Sequence, residues 1–203
     1  MAHPRRKAQA EALLLQLKQY PFMDISITWD EINNEWHTGE RALRCGINKG
    51  DWHVIIQDDA LLTPNFYENI EGAINNVPTK TLISLYTGTA RPFGKRVKIA
   101  VDKAYHATWL RYMLLMWGVG VLLRTDHIPH LLEFIEGRTE LYDTRIGIFY
   151  QRNRLPIYYT MPSLVDHDDN LDSLLNHGQT PEPRVAHRLA NGLVCWNNHV
   201  IDI

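Results

Sequence analysis

A chain of 203 residues with a formal charge of −2, of which 45% are hydrophobic and 22% charged, has the make-up of a globular domain. It carries no global attraction to nucleic acid or anionic membrane. Its two cysteines, Cys45 and Cys195, form neither a disulfide framework nor a zinc pattern, so a reducing cytoplasm is the expected setting. The longest apolar run, Tyr112–Leu123, is too short to span a bilayer and is interrupted by Gly118 and Gly120.

Met1–Lys7 is basic, but the following AQAEALLLQLKQ is amphipathic and unlike a signal-peptide core. Ala10, Leu13, Leu14 and Leu17 share one face of a first helix. Arg5 and Arg6 near its start suit a phosphate, although the same residues also read as a solvated terminus. Asp24–Trp29 (DISITW) alternates as a strand ending at Asp30. A second helix is expected over about Glu40–Asn48, with Gly50 breaking it.

The stretch Trp52–Phe66, WHVIIQDDALLTPNF, organises the rest of the chain. Val54, Ile55 and Ile56 form a β-branched run suited to a buried strand of a parallel sheet. Hydrophobicity stops at Gln57, Asp58 and Asp59. Carboxylates at the carboxyl end of such a strand lie where open α/β sheets bind ligands. Hard cations such as Mg²⁺ and Mn²⁺ take one or two carboxylates together with phosphate oxygens. The alternative is a solvated acidic turn, or Asp59 capping the next segment. Thr63 and Pro64 read as N-cap and first helical position of a helix that carries Phe66, Ile70 and Ile74.

Thr81–Tyr86 is the next expected strand. Val97, Ile99 and Val101 alternate and suggest another, with Lys95, Arg96 and Lys98 either contacting a polyanion or decorating a solvated edge. Met113–Leu123 reads as a buried turn and strand. Asp126 is placed to cap a helix with Ile128, Leu131, Leu132 and Ile135 inward, on which His127 and His130 read as surface residues. Tyr142–Arg154 is a further helix, with Asp143 in its first turn, and Ile157–Met161 the last clear strand. Strands alternating with helices at this spacing mean an α/β fold. After the last strand, His167 lies among Asp166, Asp168 and Asp169, either as a surface residue or as a metal ligand. SLLNHGQTPEPR then reads as loop, with Gly178, Pro181 and Pro183.

HPRR, WHVIIQDDALLTPNF, ISLYTG, WGVGVLL, YDTRIG and PSLVDHDDNLDSLLNHG occur in an order and spacing that resemble a known family. The chain is similar, from His3 to about Arg188, to small nucleotide-sugar-dependent glycosyltransferases of the GT-A fold, particularly those encoded by bacteriophages. The resemblance implies one domain over 1–188, with residues 189–203 as a tail packing on it or extending it. It implies a mixed, mainly parallel sheet flanked by helices, with a Rossmann-like nucleotide-binding half. In that family a DxD-type motif holds Mn²⁺ or Mg²⁺ against the donor diphosphate. Here Asp59 takes the metal-ligand place, Gln57 replaces the usual first acid, and Asp58 falls to the ribose or donor sugar. His167 takes the place of a histidine that completes metal coordination. His3, Arg5 and Asp30 become nucleotide contacts. Asp143 stands where an inverting enzyme keeps the base that deprotonates the acceptor, and it also reads as a first-turn helix acid.

The implied activity is transfer of a sugar from a nucleoside-diphosphate sugar to an acceptor hydroxyl, with a modified base in phage DNA among the candidate acceptors. A nucleotidyltransferase is a second reading, against which the chain lacks a G-x-G-rich opening loop. A non-catalytic nucleotide-sugar-binding module is a third.

Overall fold

The computed structural model describes residues 1–21, 23–90, 92–103, 105–171 and 183–203. His177, Gly178 and Pro181 of the expected late loop, and Arg91 of the TGTARPFGKR loop, lie outside the described residues.

Among the described residues the helices are α1 (Lys7–Leu17), α2 (Glu35–Arg44), α3 (Phe66–Asn76), α4 (Gly94–Lys103), α5 (Ile128–Ile135) and α6 (Tyr142–Arg152). The strands are β1 (Trp52–Ile56), β2 (Ala60–Leu62), β3 (Leu82–Ser84), β4 (Trp109–Tyr112), β5 (Gly120–Arg124), β6 (Ile157–Thr160), β7 (Val165–His167) and β8 (Val200–Asp202). Six of them form one sheet in the order β1-β5-β3-β6-β4-β8, and β2 pairs with β7 in a small separate ribbon.

Side chains alternate across the large sheet, as the period of a strand requires. Leu82, Val121, Leu123, Ile157 and Tyr159 face a core shared with α2, α4, α5 and α6. Ile83, Leu122 and Tyr158 face a second core built on Phe66, Ile70 and Ala73 of α3. Helices therefore cover both faces, which is the three-layer α/β plan compatible with a Rossmann-like fold. At the far edge, β8 runs parallel to β4. Ahead of it, Trp196 stacks on buried Trp109 with ring centroids 4.8 Å apart.

Several expectations are corrected. The sheet is mixed but not mainly parallel: β3–β6 and β4–β8 are parallel, while β1–β5, β3–β5 and β4–β6 are antiparallel. β1 accordingly lies at the edge of the sheet and pairs antiparallel with β5, from Trp52↔Arg124 to Ile56↔Gly120. A continuous apolar run reports that both faces are covered, and covered faces do not fix strand direction.

Val97 and Val101 lie in α4, not in a strand, since Gly94, Val97 and Ala100 turn inward at helical spacing while Ile99 is 58% exposed. α3 starts at Phe66 behind a left-handed Asn65, because the Thr63 hydroxyl is already donating to Leu164 O at 2.9 Å. α2 starts at Glu35, ahead of the expected Glu40, because Asn34 caps it by accepting from the His37 N–H. Asp126 pairs with Arg124 in a short 3-10 turn without capping α5, and half-buried His127 bonds the Tyr150 hydroxyl at 3.0 Å. Asp24–Trp29 forms no strand; Trp29 alone makes a parallel bridge, to Ala2.

Candidate functional site

The first six residues enter beside the carboxyl end of β1. Pro4 opens a 3-10 turn over Pro4–Arg6, and His3 caps it by accepting the Arg5 N–H on Nδ1 at 3.1 Å. This turn sends two adjacent arginines in different directions. Arg5 is exposed, whereas Arg6 is 7% exposed. The Arg6 guanidinium bridges the acidic pair through Nη1, 3.0 Å from Asp58 Oδ1 and 2.7 Å from Asp59 Oδ2. The His3 main-chain N–H donates to Asp58 Oδ2 at 2.7 Å. Both oxygens of Asp58 are thus engaged by the N-terminal turn.

Asp59 meets His167, to which it is remote in sequence. The β2–β7 pairing sets Ala60 opposite His167, and the Asp168 N–H donates to Asp59 O at 2.8 Å. His167 Nε2 then lies 3.3 Å from Asp59 Oδ2. Burial favours the neutral acid at Asp59, but interactions with His167 and Arg6 outweigh it and hold the pKa down at about 2. Asp59 Oδ1 and His167 Nδ1 are buried and lack a hydrogen-bond partner among the described residues.

Across from this pair stand acids without such partners. Glu35 opens α2 and its Oε2 is buried without a hydrogen bond among the described residues. Burial, followed by the charges of Asp143, Asp59 and Asp30, pushes its pKa up to about 7. Asp143, in the first turn of α6, is also raised by burial, although its Oδ1 accepts the Thr144 N–H at 2.7 Å. Gly118 lets Asp143 and Gln57 approach its backbone closely. A Cβ there would lie 3.2 Å from Asp143 Cβ and 3.6 Å from Gln57 Nε2. Helices α2 and α6 are tied together by Arg145, which stacks on Trp36 at 3.7 Å and donates to Glu140 O. That clamp sets Glu35 and Asp143 on neighbouring helix starts.

Asp30 is buried, accepts the Asn34 N–H on Oδ1 at 2.9 Å, and acts on Glu35 through its charge. The fold therefore gathers Asp30, Asp58, Asp59, Asp143 and His167, with the His3 main chain. It does not bring in Arg5, nor do Arg96 or Lys98 of α4 reach the cluster, as they contact Tyr112 and Asp102. Glu35 is the member that sequence reasoning missed, and Arg6, read with Arg5 as suited to a phosphate, instead bridges the acidic pair. The double arginine was a visible signal, but which of the two turns inward is settled by the 3-10 turn.

Asp59 and His167 fit a divalent cation in donor chemistry, and their orphaned Oδ1 and Nδ1 are buried polar atoms that lack a protein partner. Among the described residues no three His, Cys, Asp or Glu side chains group as a metal-holding set, so the protein's share would be two ligands. Neither a protein-family model nor a curated protein matches this chain. Among the described residues no helix is long and apolar enough to cross a membrane.

Proposed function

We propose that the chain is a metal-dependent glycosyltransferase of GT-A type, moving a sugar from a nucleoside-diphosphate sugar to an acceptor hydroxyl in the cytoplasm of a phage-infected host. The observation that carries the reading is the split within one acidic cluster. Asp59 is held ionised by its hydrogen bonds with Arg6 and His167, while Asp143 and Glu35, lacking such partners, have raised pKa values. Carboxyl groups pushed apart in this way mark separate acid–base roles.

In the proposed reaction the acceptor oxygen bonds to the anomeric carbon and the bond from that carbon to the diphosphate oxygen breaks. The nucleoside diphosphate leaves with the electron pair, and the acceptor proton passes to the Asp143 carboxylate. Burial makes Asp143 a stronger base than an exposed aspartate. Arg6 supplies fixed positive charge beside Asp58 and Asp59, and the Asp30–Asp58 side is assigned to the ribose and donor sugar. Asp59 and His167 would hold Mn²⁺ or Mg²⁺, which when bound supplies Lewis acidity toward the diphosphate. The acceptor class, whether a modified DNA base, a glycan or another hydroxyl, is left to the assay.

A non-catalytic nucleotide-sugar-binding module is the second reading, favoured by the complete engagement of Asp58 by Arg6 and His3. Thermal melts against a panel of nucleotide sugars, with and without Mn²⁺, test both. A donor that binds the folded chain alone raises its melting temperature. Metal-dependent stabilisation by at least one donor is expected, and silence across the panel with folded protein overturns both readings. Asp143→Asn should then lower transfer about 100-fold or more while leaving donor affinity nearly unchanged. Near-normal turnover would return Asp143 to a helix-start role. Donor binding with neither hydrolysis nor transfer would select the module.

A further inference from the structure

Lys95–His106 holds four of the chain's 21 lysines and arginines against one acid, Asp102, a local excess of positive charge in a chain whose net charge is −2. In α4 the inward residues Gly94, Val97 and Ala100 go to the core, which turns Lys95, Ile99 and Lys103 outward at i, i+4 and i+8. Asp102 is paired with Lys98 at 2.6 Å and leaves the charge of this row intact. Arg96, in the first turn, lies 5.0 Å over the Tyr112 ring and donates to its hydroxyl at 3.1 Å.

Just past the other end of α4, Tyr105 is 73% exposed. The Arg188 guanidinium lies 5.7 Å from the centre of its ring, and His106 meets it edge-on at 5.3 Å. Arg188 also donates to Tyr105 O at 3.1 Å. It reaches this place because its segment is stitched to the loop after β3. The His187 N–H donates to Thr87 O and the Thr89 N–H to Val185 O, both at 2.9 Å. The face is thus a row of lysines with an arginine–tyrosine pair near each end.

Fixed cations beside open ring planes suit a single-stranded nucleic acid, whose phosphates pair with lysines and whose bases stack on tyrosine and guanidinium faces. An anionic membrane would use a wide apolar face, and the one α4 has is turned to the core. A duplex keeps its base faces in its own stack and would meet the lysines alone. The face also leads toward the acidic cluster. Tyr112 meets Phe93 with ring centroids 6.3 Å apart, and Phe93 meets Trp117 at 6.0 Å. Trp117 precedes Gly118, which Asp143 closely approaches.

We propose that the outer face of α4, with Tyr105, Tyr112 and Arg188, binds a single strand of nucleic acid. Lys95 and Lys103 neutralise phosphates, and the two arginine–tyrosine pairs are stacking platforms. This binding stands apart from the transferase reading. Naming the strand as the acceptor does rest on that reading, with a hydroxyl on one of its bases delivered along the file of rings to Asp143.

Fluorescence anisotropy with a labelled oligothymidylate of about 12 nucleotides, at low salt and with neither sugar nucleotide nor metal, tests the proposal. The chain should bind it more tightly than the matching duplex, with affinity falling as salt rises. Lys95→Glu with Lys103→Glu should weaken binding about tenfold or more and flatten the salt dependence. Lys18→Glu with Lys80→Glu, the same charge change on exposed lysines elsewhere, should alter it less than about twofold. Tyr105→Ala should weaken it about fivefold or more with the salt dependence unchanged. All five side chains are exposed, and thermal melts verify that each variant folds. No binding by the folded parent chain overturns the surface, as does equal loss in the two lysine pairs or a duplex bound as tightly as the strand. Capture by phosphatidylglycerol vesicles that needs Lys95 and Lys103, without oligonucleotide binding, gives the face to a membrane and also overturns it. A strand bound by a chain that no sugar nucleotide stabilises keeps the surface and strikes the transferase. Donor stabilisation without strand binding does the reverse.

Discussion

Two sides of one acidic cluster treat the same functional group in opposite ways. On the Arg6–Asp58–Asp59–His167 side, a buried carboxyl keeps its charge because a guanidinium and an imidazole face it. On the Glu35–Asp143 side, burial raises both acids, at Glu35 together with neighbouring carboxylates and at Asp143 against the Thr144 hydrogen bonds, and the proton is held more tightly. The sequence distance between members is irrelevant to this outcome. Protonation is set by which counter-charge the fold delivers to each buried acid.

The most severe way to break the contrast is Arg6→Met. It strips the guanidinium from two buried carboxylates and leaves them uncompensated, at an expected cost of about 3–5 kcal/mol. Urea unfolding at pH 7 measures the loss, and a loss under about 1 kcal/mol would mean the pair is solvated rather than buried. Part of the deficit should be recovered in acid, as Asp59 takes up a proton.

Acid titration probes the first side alone. The Asp59 pKa falls from 3.8 in the unfolded chain to about 2 in the folded one. The folded state therefore gains stability from Asp59 above pH 3.8 and loses it as pH falls through 2, an effect of about 2 kcal/mol. Stability curves between pH 5 and 2 should show that limb in the parent chain and a shallower one in Asp59→Asn. Identical limbs would deny the pairing its energetic role.

The second side gives the smallest effect and the opposite sign. Because the folded pKa of Glu35 is raised from 4.5 to about 7, the native state binds the proton more tightly. Its contribution is most favourable below pH 4.5 and is lost as pH rises through 7. Glu35→Gln should flatten that decline and leave the variant more stable at pH 8 by about 1 kcal/mol, allowing for solvent near a half-buried group. A variant less stable at pH 8 would show that Glu35 has a partner in solution.

The features legible in the chain beforehand obey the same physics. Val54–Ile56 ending at Gln57–Asp59 was legible because a β-branched run cut off by charges is a local event. His167 was legible as a residue following a strand. Strand direction was not, since antiparallel β5 takes the place beside β1 that a parallel neighbour was expected to fill. In α4, Val97 and Val101 satisfy the strand period and the helix period alike, and only the burial of Ala100 with exposure of Ile99 separates them. Glu35 was invisible because its environment is made of residues from three other segments, Asp30, Asp59 and Asp143. The 24–29 alternation was read as a strand, yet among the described residues only Trp29 of that segment makes a bridge, to Ala2.

The stacked pair at the opposite edge gives the molecule an optical reporter. Trp109 and Trp196 lie at an interplanar angle of 28° with centroids 4.8 Å apart, close enough for their indole transitions to couple. Coupled chromophores split an absorption band into a circular-dichroism couplet of paired positive and negative lobes. That couplet exists only while the C-terminal segment is seated on β4. Its disappearance on gentle heating, ahead of the backbone signal, would time the peeling of β8 separately from the melting of the sheet.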